Sequence, residues 1–302
     1  MKIRMLICLF AAWFSIPSMA EDKAVNLKVA TVQMRSSLQV DDNCNRMATY
    51  LNGLADQGVQ VALFPEYSLV PYDGDTIERV SAGQVSMAEE QIRQICRNRR
   101  IAAIIGSIYK VHGRIYNTAL VFDSRGALVE RYGKIYLAGE PWATPGNHIA
   151  YFDLEGVPST VMICHDERYP ELARLPAVHG ARIMYYIAHE SGLDEEYKLA
   201  PYRAQVMARA VENGMYVVAC DAPADPKNNH DSNGHSRIIG TDGNVLKEAS
   251  MFGEDVLVET IEIKPRNPKD AWWSVFSLAG PMGGWWRDGI EEMMKNRHRL
   301  LE

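Results

Sequence analysis

Three side chains in this sequence have the types and settings that amide-bond chemistry asks for. Cys164 directly follows the apolar, β-branched run Thr160 to Ile163 and opens the polar stretch His165-Asp166-Glu167-Arg168. Glu66 follows Val61-Ala62-Leu63-Phe64-Pro65, and Lys134 ends Leu128-Val129-Glu130-Arg131-Tyr132-Gly133. A thiol needs a base to become a nucleophile, a tetrahedral intermediate needs positive charge, and a leaving amine needs a proton. A carboxylate, a lysine and a cysteine supply all three. Taken singly, each has a plainer reading: a small buried cysteine, a solvated loop acid, a surface lysine. Tyr169-Pro170-Glu171-Leu172 reads as a helix start with Pro170 in its first turn, so backbone N–H groups near Cys164 are expected to lower its thiol pKa. His165 is adjacent, but neighbours along an extended chain point opposite ways, which sets it poorly to act on Cys164.

The elements that must position these groups alternate along the chain. Strands are expected over 27–33, 59–64, 101–109, 115–122, 128–132, 160–163, 182–187, 216–220 and 255–263. Helices are expected from a cap at Asp41 and Asp42 to about Ala55, over 87–99, about 170–179 and roughly 196–212. Thr241-Asp242-Gly243-Asn244 marks a hairpin between 235–239 and 245–248, and 135–148 is a Pro- and Gly-punctuated loop. There is no internal repeat and no glycine-rich phosphate loop, so the class is α/β or layered α+β.

The 302 residues suffice for one large domain with a tail. A net charge of −6 without a basic cluster argues against nucleic-acid binding. Lys2 and Arg4, the apolar run 5–16 and Ser18-Met19-Ala20 have the layout of a secretory signal peptide, too short for a membrane span. Export to the periplasm or the extracellular space is therefore expected, with residues 1–20 removed and no stable span afterwards. Cys44, Cys96, Cys164 and Cys220 have neither zinc-site nor disulfide-framework spacing. From 265 to 302 the chain is Trp-rich (Trp272, Trp273, Trp285, Trp286) and ends in a short charged helix, an extension expected to pack on the domain or on a partner subunit.

Five separated segments, in order, resemble the nitrilase, or carbon–nitrogen hydrolase, superfamily. They are 29–34 (VATVQM), 63–66 (LFPE), 132–137 (YGKIYL), 163–172 (ICHDERYPEL) and 203–213 (RAQVMARAVEN), with a closing hairpin at 234–246. The resemblance covers residues 27 to about 263, and the fourth segment is the most specific. It implies a four-layer αββα sandwich over residues 21–264, with Glu66 as general base, Lys134 as oxyanion stabiliser, Cys164 as nucleophile and Glu140 as second glutamate. It implies no metal or organic cofactor, and a homodimer or higher homo-oligomer paired through the helices after Cys164 and around Arg203 to Asn213.

The activity so implied is hydrolysis of a non-peptide C–N bond in a small amide or carbamoyl compound. Nitrile-cleaving relatives usually carry Trp after the cysteine, where this chain has His165. Relatives that bind carboxylated carbamoyl amino acids place arginine where this chain has Glu167. His165, Glu167 and Glu190 are accordingly the candidate substrate contacts, and acidic walls favour cationic or neutral substrates. Asp194 to Glu196 also suit the start of the next helix. Nitrile hydrolysis, acyl transfer to an amine and a non-catalytic secreted binding protein are the rival readings.

Overall fold

A computed structural model describes residues 24–190, 193–228, 232–264 and 280–300. The proposed signal segment, Trp272 and Trp273 lie outside them.

Two six-stranded sheets form the centre. The first runs in the order β12 (Asp255–Ile263), β1 (Val25–Gln33), β2 (Val61–Leu63), β3 (Ala102–Val111), β4 (Arg114–Phe122), β5 (Leu128–Gly133). The second runs β11 (Val245–Glu248), β10 (Arg237–Ile239), β9 (Tyr216–Asp221), β8 (Ile183–Ala188), β7 (Val157–Ile163), β6 (Phe152–Leu154). Parallel pairing joins β1 to β2 to β3 and β7 to β8 to β9, and the outer pairs are antiparallel.

Alternation along the strands explains the layering, because successive side chains point to opposite faces. Val29, Val61 and Leu63 of the first sheet meet Val161, Ile163 and Ile187 of the second in a shared core. Their neighbours face outward. Ala30 and Val32 pack under α1 (Val40–Asp56) and α3 (Ala82–Arg99), while Met162 and Met184 pack under α4 (Glu171–His179) and α5 (Leu199–Asn213). The result is helices, sheet, sheet, helices, the αββα sandwich that the sequence resemblance implies.

Several boundaries differ from the sequence expectation for local reasons. The α1 cap is Gln39, without a side-chain bond, and Asp41 and Asp42 sit inside the first turn, where their charge suits the helix dipole. Ser81 and Gln84 form a reciprocal capping box that starts α3 at Ala82, ahead of the expected Met87. A short helix, α2 (Gly74–Arg79), is capped by Asp73, which accepts from Thr76 N–H. Pro170 is the cap of α4 rather than part of its first turn. A 3₁₀ turn, Leu193–Lys198, delays α5 to Leu199.

At the C-terminus, α6 (Gly283–Lys295) packs on α4, and a Cβ on Gly289 would meet Leu175 Cδ2 at 2.8 Å. Leu300 is buried against Gly133, the residue before Lys134. Trp285 and Trp286 stand edge to face on α6, with Trp285 largely exposed. Among the described residues no helix is long and apolar enough to cross a membrane.

Candidate active site

The parallel strands β2, β7 and β8 end on the same side of the sandwich, the position where layered α/β folds carry their sites. Glu66 lies three residues beyond β2, Cys164 directly after β7, and His189 and Glu190 directly after β8. Lys134 follows β5. Together with Glu140, His165 and Glu167 they line one pocket of about 530 Å³. All seven residues singled out in the sequence therefore face one cavity.

Glu66 is buried and reached by three donors. Its Oε1 accepts from Lys134 Nζ at 3.0 Å and from Asn117 Nδ2 at 2.6 Å, and its Oε2 accepts from His189 N–H at 2.8 Å. Gly106 of β3 makes this placement feasible. A Cβ there would lie 2.3 Å from the Pro65 carbonyl oxygen and 2.6 Å from Glu66 Cα, so only glycine lets the strand approach. Lys134 Nζ also sits 3.0 Å from Glu140 Oε2. Glu140 Oε1 accepts from Asn117 Nδ2 at 2.6 Å and from the Tyr67 hydroxyl, while Oε2 accepts from Ala138 N–H at 3.0 Å. One lysine thus lies between two glutamates, and one asparagine bridges them from the other side.

Cys164 takes a left-handed backbone conformation, φ 46°, and so does Tyr67, φ 59°. A non-glycine residue held there costs about 1–3 kcal/mol and persists only where its surroundings impose it. The chain turns sharply at Cys164 into a 3₁₀ turn, Cys164–Arg168. Asp166 ties that turn to the lysine loop: it is fully buried and accepts from Tyr136 N–H at 2.8 Å, Ile135 N–H at 3.2 Å and Tyr132 OH at 2.7 Å. Because Ile135 and Tyr136 directly follow Lys134, Asp166 fixes the thiol relative to the ammonium.

The electrostatics correct one sequence expectation. The Cys164 thiol is held well above its usual range, chiefly by burial and by the Glu66 carboxylate, with Lys134 opposing. The expected lowering fails because α4 begins only at Glu171, too far along the chain to present its N-terminus to Cys164. The resting nucleophile is a thiol. Burial also raises Glu66, against the pull of Lys134, which makes it a stronger proton acceptor than an ordinary carboxylate. Lys134 is held cationic well above its usual range; Glu66, the Cys164 thiolate and Glu140 outweigh the burial that opposes them.

His165 also departs from expectation. The chain is not extended at Cys164, so the imidazole faces the same pocket. Burial, with Arg168 and Lys134 nearby, pushes its pKa down and keeps the ring neutral at pH 7. The other described cysteines are buried, and burial raises Cys44 to about 11 and Cys96 and Cys220 to about 12. Cys164 alone among them is partly exposed.

Sequence reasoning missed Asn117, Tyr67, Asp166 and Asp221. Asn117 and Asp166 stand out afterwards as polar residues inside or directly beside apolar strand runs. Asp221 ends a buried strand, as Glu66 nearly does.

An αββα sandwich with a thiol, a lysine and two glutamates converging where its parallel strands end defines a class of thiol-bearing hydrolases. The chain belongs to the carbon–nitrogen hydrolase family, whose model matches residues 28–265, and is a hydrolase of C–N bonds other than peptide bonds. Among similar proteins, the "hydrolase in agr operon" of Staphylococcus lugdunensis is 32% identical over 218 residues, 70% of this chain and 90% of its own. The human omega-amidase NIT2 is 25% identical over 260 residues, 80% of this chain and 93% of its own. The 2-oxoglutaramate amidase of Bacillus subtilis is 28% identical over 218 residues, 69% and 82% of the two chains. The fold is shared with the nitrilase-superfamily amidase of Nesterenkonia sp. AN1, at a TM-score of 0.73 and 24% identity over 86% of this chain and 97% of that one.

Proposed function

We propose that the protein is an exported, cysteine-dependent amidohydrolase that cleaves a small amide or carbamoyl compound through a thioester. The observation that carries this reading is the placement of Lys134 Nζ, 3.0 Å from both Glu66 Oε1 and Glu140 Oε2, in the pocket onto which Cys164 opens.

Glu66 takes the Cys164 proton as sulfur attacks the amide carbon. Lys134 and the His165 backbone N–H stabilise the oxyanion. The C–N bond then breaks and Glu66 returns the proton to the departing ammonia or amine. Water attacks the thioester, Glu66 takes its proton, and Glu140 steadies Lys134 throughout. The carboxylic acid leaves and the thiol regains its proton from Glu66. A base with a raised pKa suits both halves, because it must accept from a thiol and donate to an amine. The Nesterenkonia amidase has been captured with acrylamide added to its active-site cysteine, which is the same role for a cysteine in this fold.

The test is ammonia release from neutral primary amides by the protein and by Cys164→Ala. Loss of about 10⁴-fold or more is expected from removing a nucleophile; a Cys164→Ala protein that retains activity would overturn the assignment. The organisation that goes with this reading is a removed segment 1–20, a hydrolase domain 21–264 and an extension 265–302. A homodimer pairing through α4 and α5 is supported by the outward exposure of Val211 on α5. N-terminal sequencing of exported protein and its mass in solution check these two points.

A further inference from the structure

A second group of carboxylates lies on the pocket wall beyond the thiol. Glu167 and Glu190 both line the pocket and are buried, and Asp221 lies behind Glu190, accepting from its N–H at 3.2 Å. The Tyr186 hydroxyl lies 2.9 Å from Glu190 Oε1 and 3.3 Å from the Cys164 carbonyl oxygen, so this wall stands beside the nucleophile. Unlike Glu66 and Glu140, the group is not completed by protein. Glu167 is 1% exposed and its Oε2 has no hydrogen-bond partner. The cations nearby are engaged elsewhere: Arg168 lies over the Tyr202 ring, and Arg209 donates to the Glu167 backbone carbonyl and to Glu212. Arg237 draws on Glu190 but also faces Glu248, at 3.8 Å. Across the whole pocket, five carboxylates (Glu66, Glu140, Glu167, Glu190, Asp194) face two lysines, and Lys134 is committed to Glu66 and Glu140.

A buried carboxylate oxygen without a donor is stabilised when a ligand brings one. We propose that Glu167, seconded by Glu190, receives a protonated amine at the far end of the substrate, so that the substrate class is a small amide carrying an ammonium group. This rests on the amidase reading for the amide end and adds the identity of the other end. It also sets this chain apart from a relative named for 2-oxoglutaramate, whose substrate ends in a carboxylate.

Proton balance gives the proposal a second signature. Burial, then repulsion by Glu190, pushes Glu167 up to about 9, with Arg168 pulling the other way and Asp221 adding to the rise. Glu190 is raised by burial and Glu66, against Arg237. The empty wall therefore holds protons near neutrality, and an arriving ammonium displaces them. Preference for the cation should rise with pH.

The experiment compares three primary amides of equal length: 5-aminovaleramide, valeramide and glutaramate. Ammonia release by the full chain is expected to favour 5-aminovaleramide over glutaramate in kcat/KM by about 10- to 100-fold, the range for a hydrogen bond to a charged group. The ratio to valeramide should grow from pH 6 to pH 9; thiol ionisation is common to both substrates and cancels. Glu167→Gln should reduce the cation-over-anion ratio at least tenfold, mainly through KM, with Glu190→Gln having the smaller effect. Calorimetry of the three amides on Cys164→Ala reads the wall without turnover. Hydrolysis of valeramide with glutaramate equal to or better than 5-aminovaleramide overturns the wall and keeps the amidase. Binding of 5-aminovaleramide over glutaramate without hydrolysis of any amide keeps the wall and overturns the amidase. Neither turnover nor selective binding overturns the proposal.

Discussion

The pocket holds two sets of buried carboxylates, and they differ in how far the protein finishes them. Glu66 and Glu140 share a lysine, an asparagine and backbone donors. Glu167, Glu190 and Asp221 crowd together, and Glu167 Oε2 and Asp221 Oδ2 lack partners. A satisfied set holds its geometry without a ligand, which suits groups that move protons at a fixed atom. An unsatisfied set loses stability until something enters, which suits groups that recognise. The contrast separates chemistry from selection within a single cavity.

The largest way to break this comparison is to unfinish the first set. Lys134→Met would leave Glu66 and Glu140 buried without their cation. We expect a stability loss of about 3–5 kcal/mol, as for other buried pairs stripped of one partner. Loss of the oxyanion contact should lower kcat by about 10²–10³-fold. Chemical denaturation and ammonia release measure the two. A Lys134→Met protein as stable as the parent would mean that the pairing is not what holds the two glutamates.

A smaller effect sharpens the comparison from the other side. The raised Glu167 keeps its proton in the folded state between about pH 4.5 and about 9, while the unfolded chain has released it. The folded state then binds more protons than the unfolded one, so stability falls as pH rises through that window, by up to about 1.4 kcal/mol per unit. Glu167→Gln removes the term. We expect its melting temperature to equal or exceed the parent's and to decline less between pH 6 and pH 9. A variant that is less stable at pH 9 than the parent would show that Glu167 is already satisfied.

What the sequence disclosed follows from the same physics. Cys164 and Glu66 were legible because apolar strand runs stop abruptly at them, and charge at the end of a buried strand marks a site. Lys134 and Glu140 needed the family resemblance, since neither a strand-end lysine nor a loop acid is distinctive alone. Asn117 was hidden because its value depends on which face of β4 looks toward Glu66, a matter of register with β3 and β5. Asp166 was hidden for a related reason: a charged residue after the nucleophile looks solvated until the lysine loop folds over it. The thiol's pKa was misjudged because proximity in sequence to α4 was taken for proximity in space. The layers were plain from alternation, whereas short helices such as α2 rest on single caps and carry little periodic signal.

The central claim is that Cys164 forms the covalent bond. It is tested most directly by quenching the protein during turnover of a neutral amide and reading its intact mass, with the adduct mapped by peptide digestion. The account predicts an acyl group on Cys164, labile to hydroxylamine as a thioester is, and absent from Cys164→Ala. Steady ammonia release with no adduct on Cys164, or with the adduct on another residue, would contradict it.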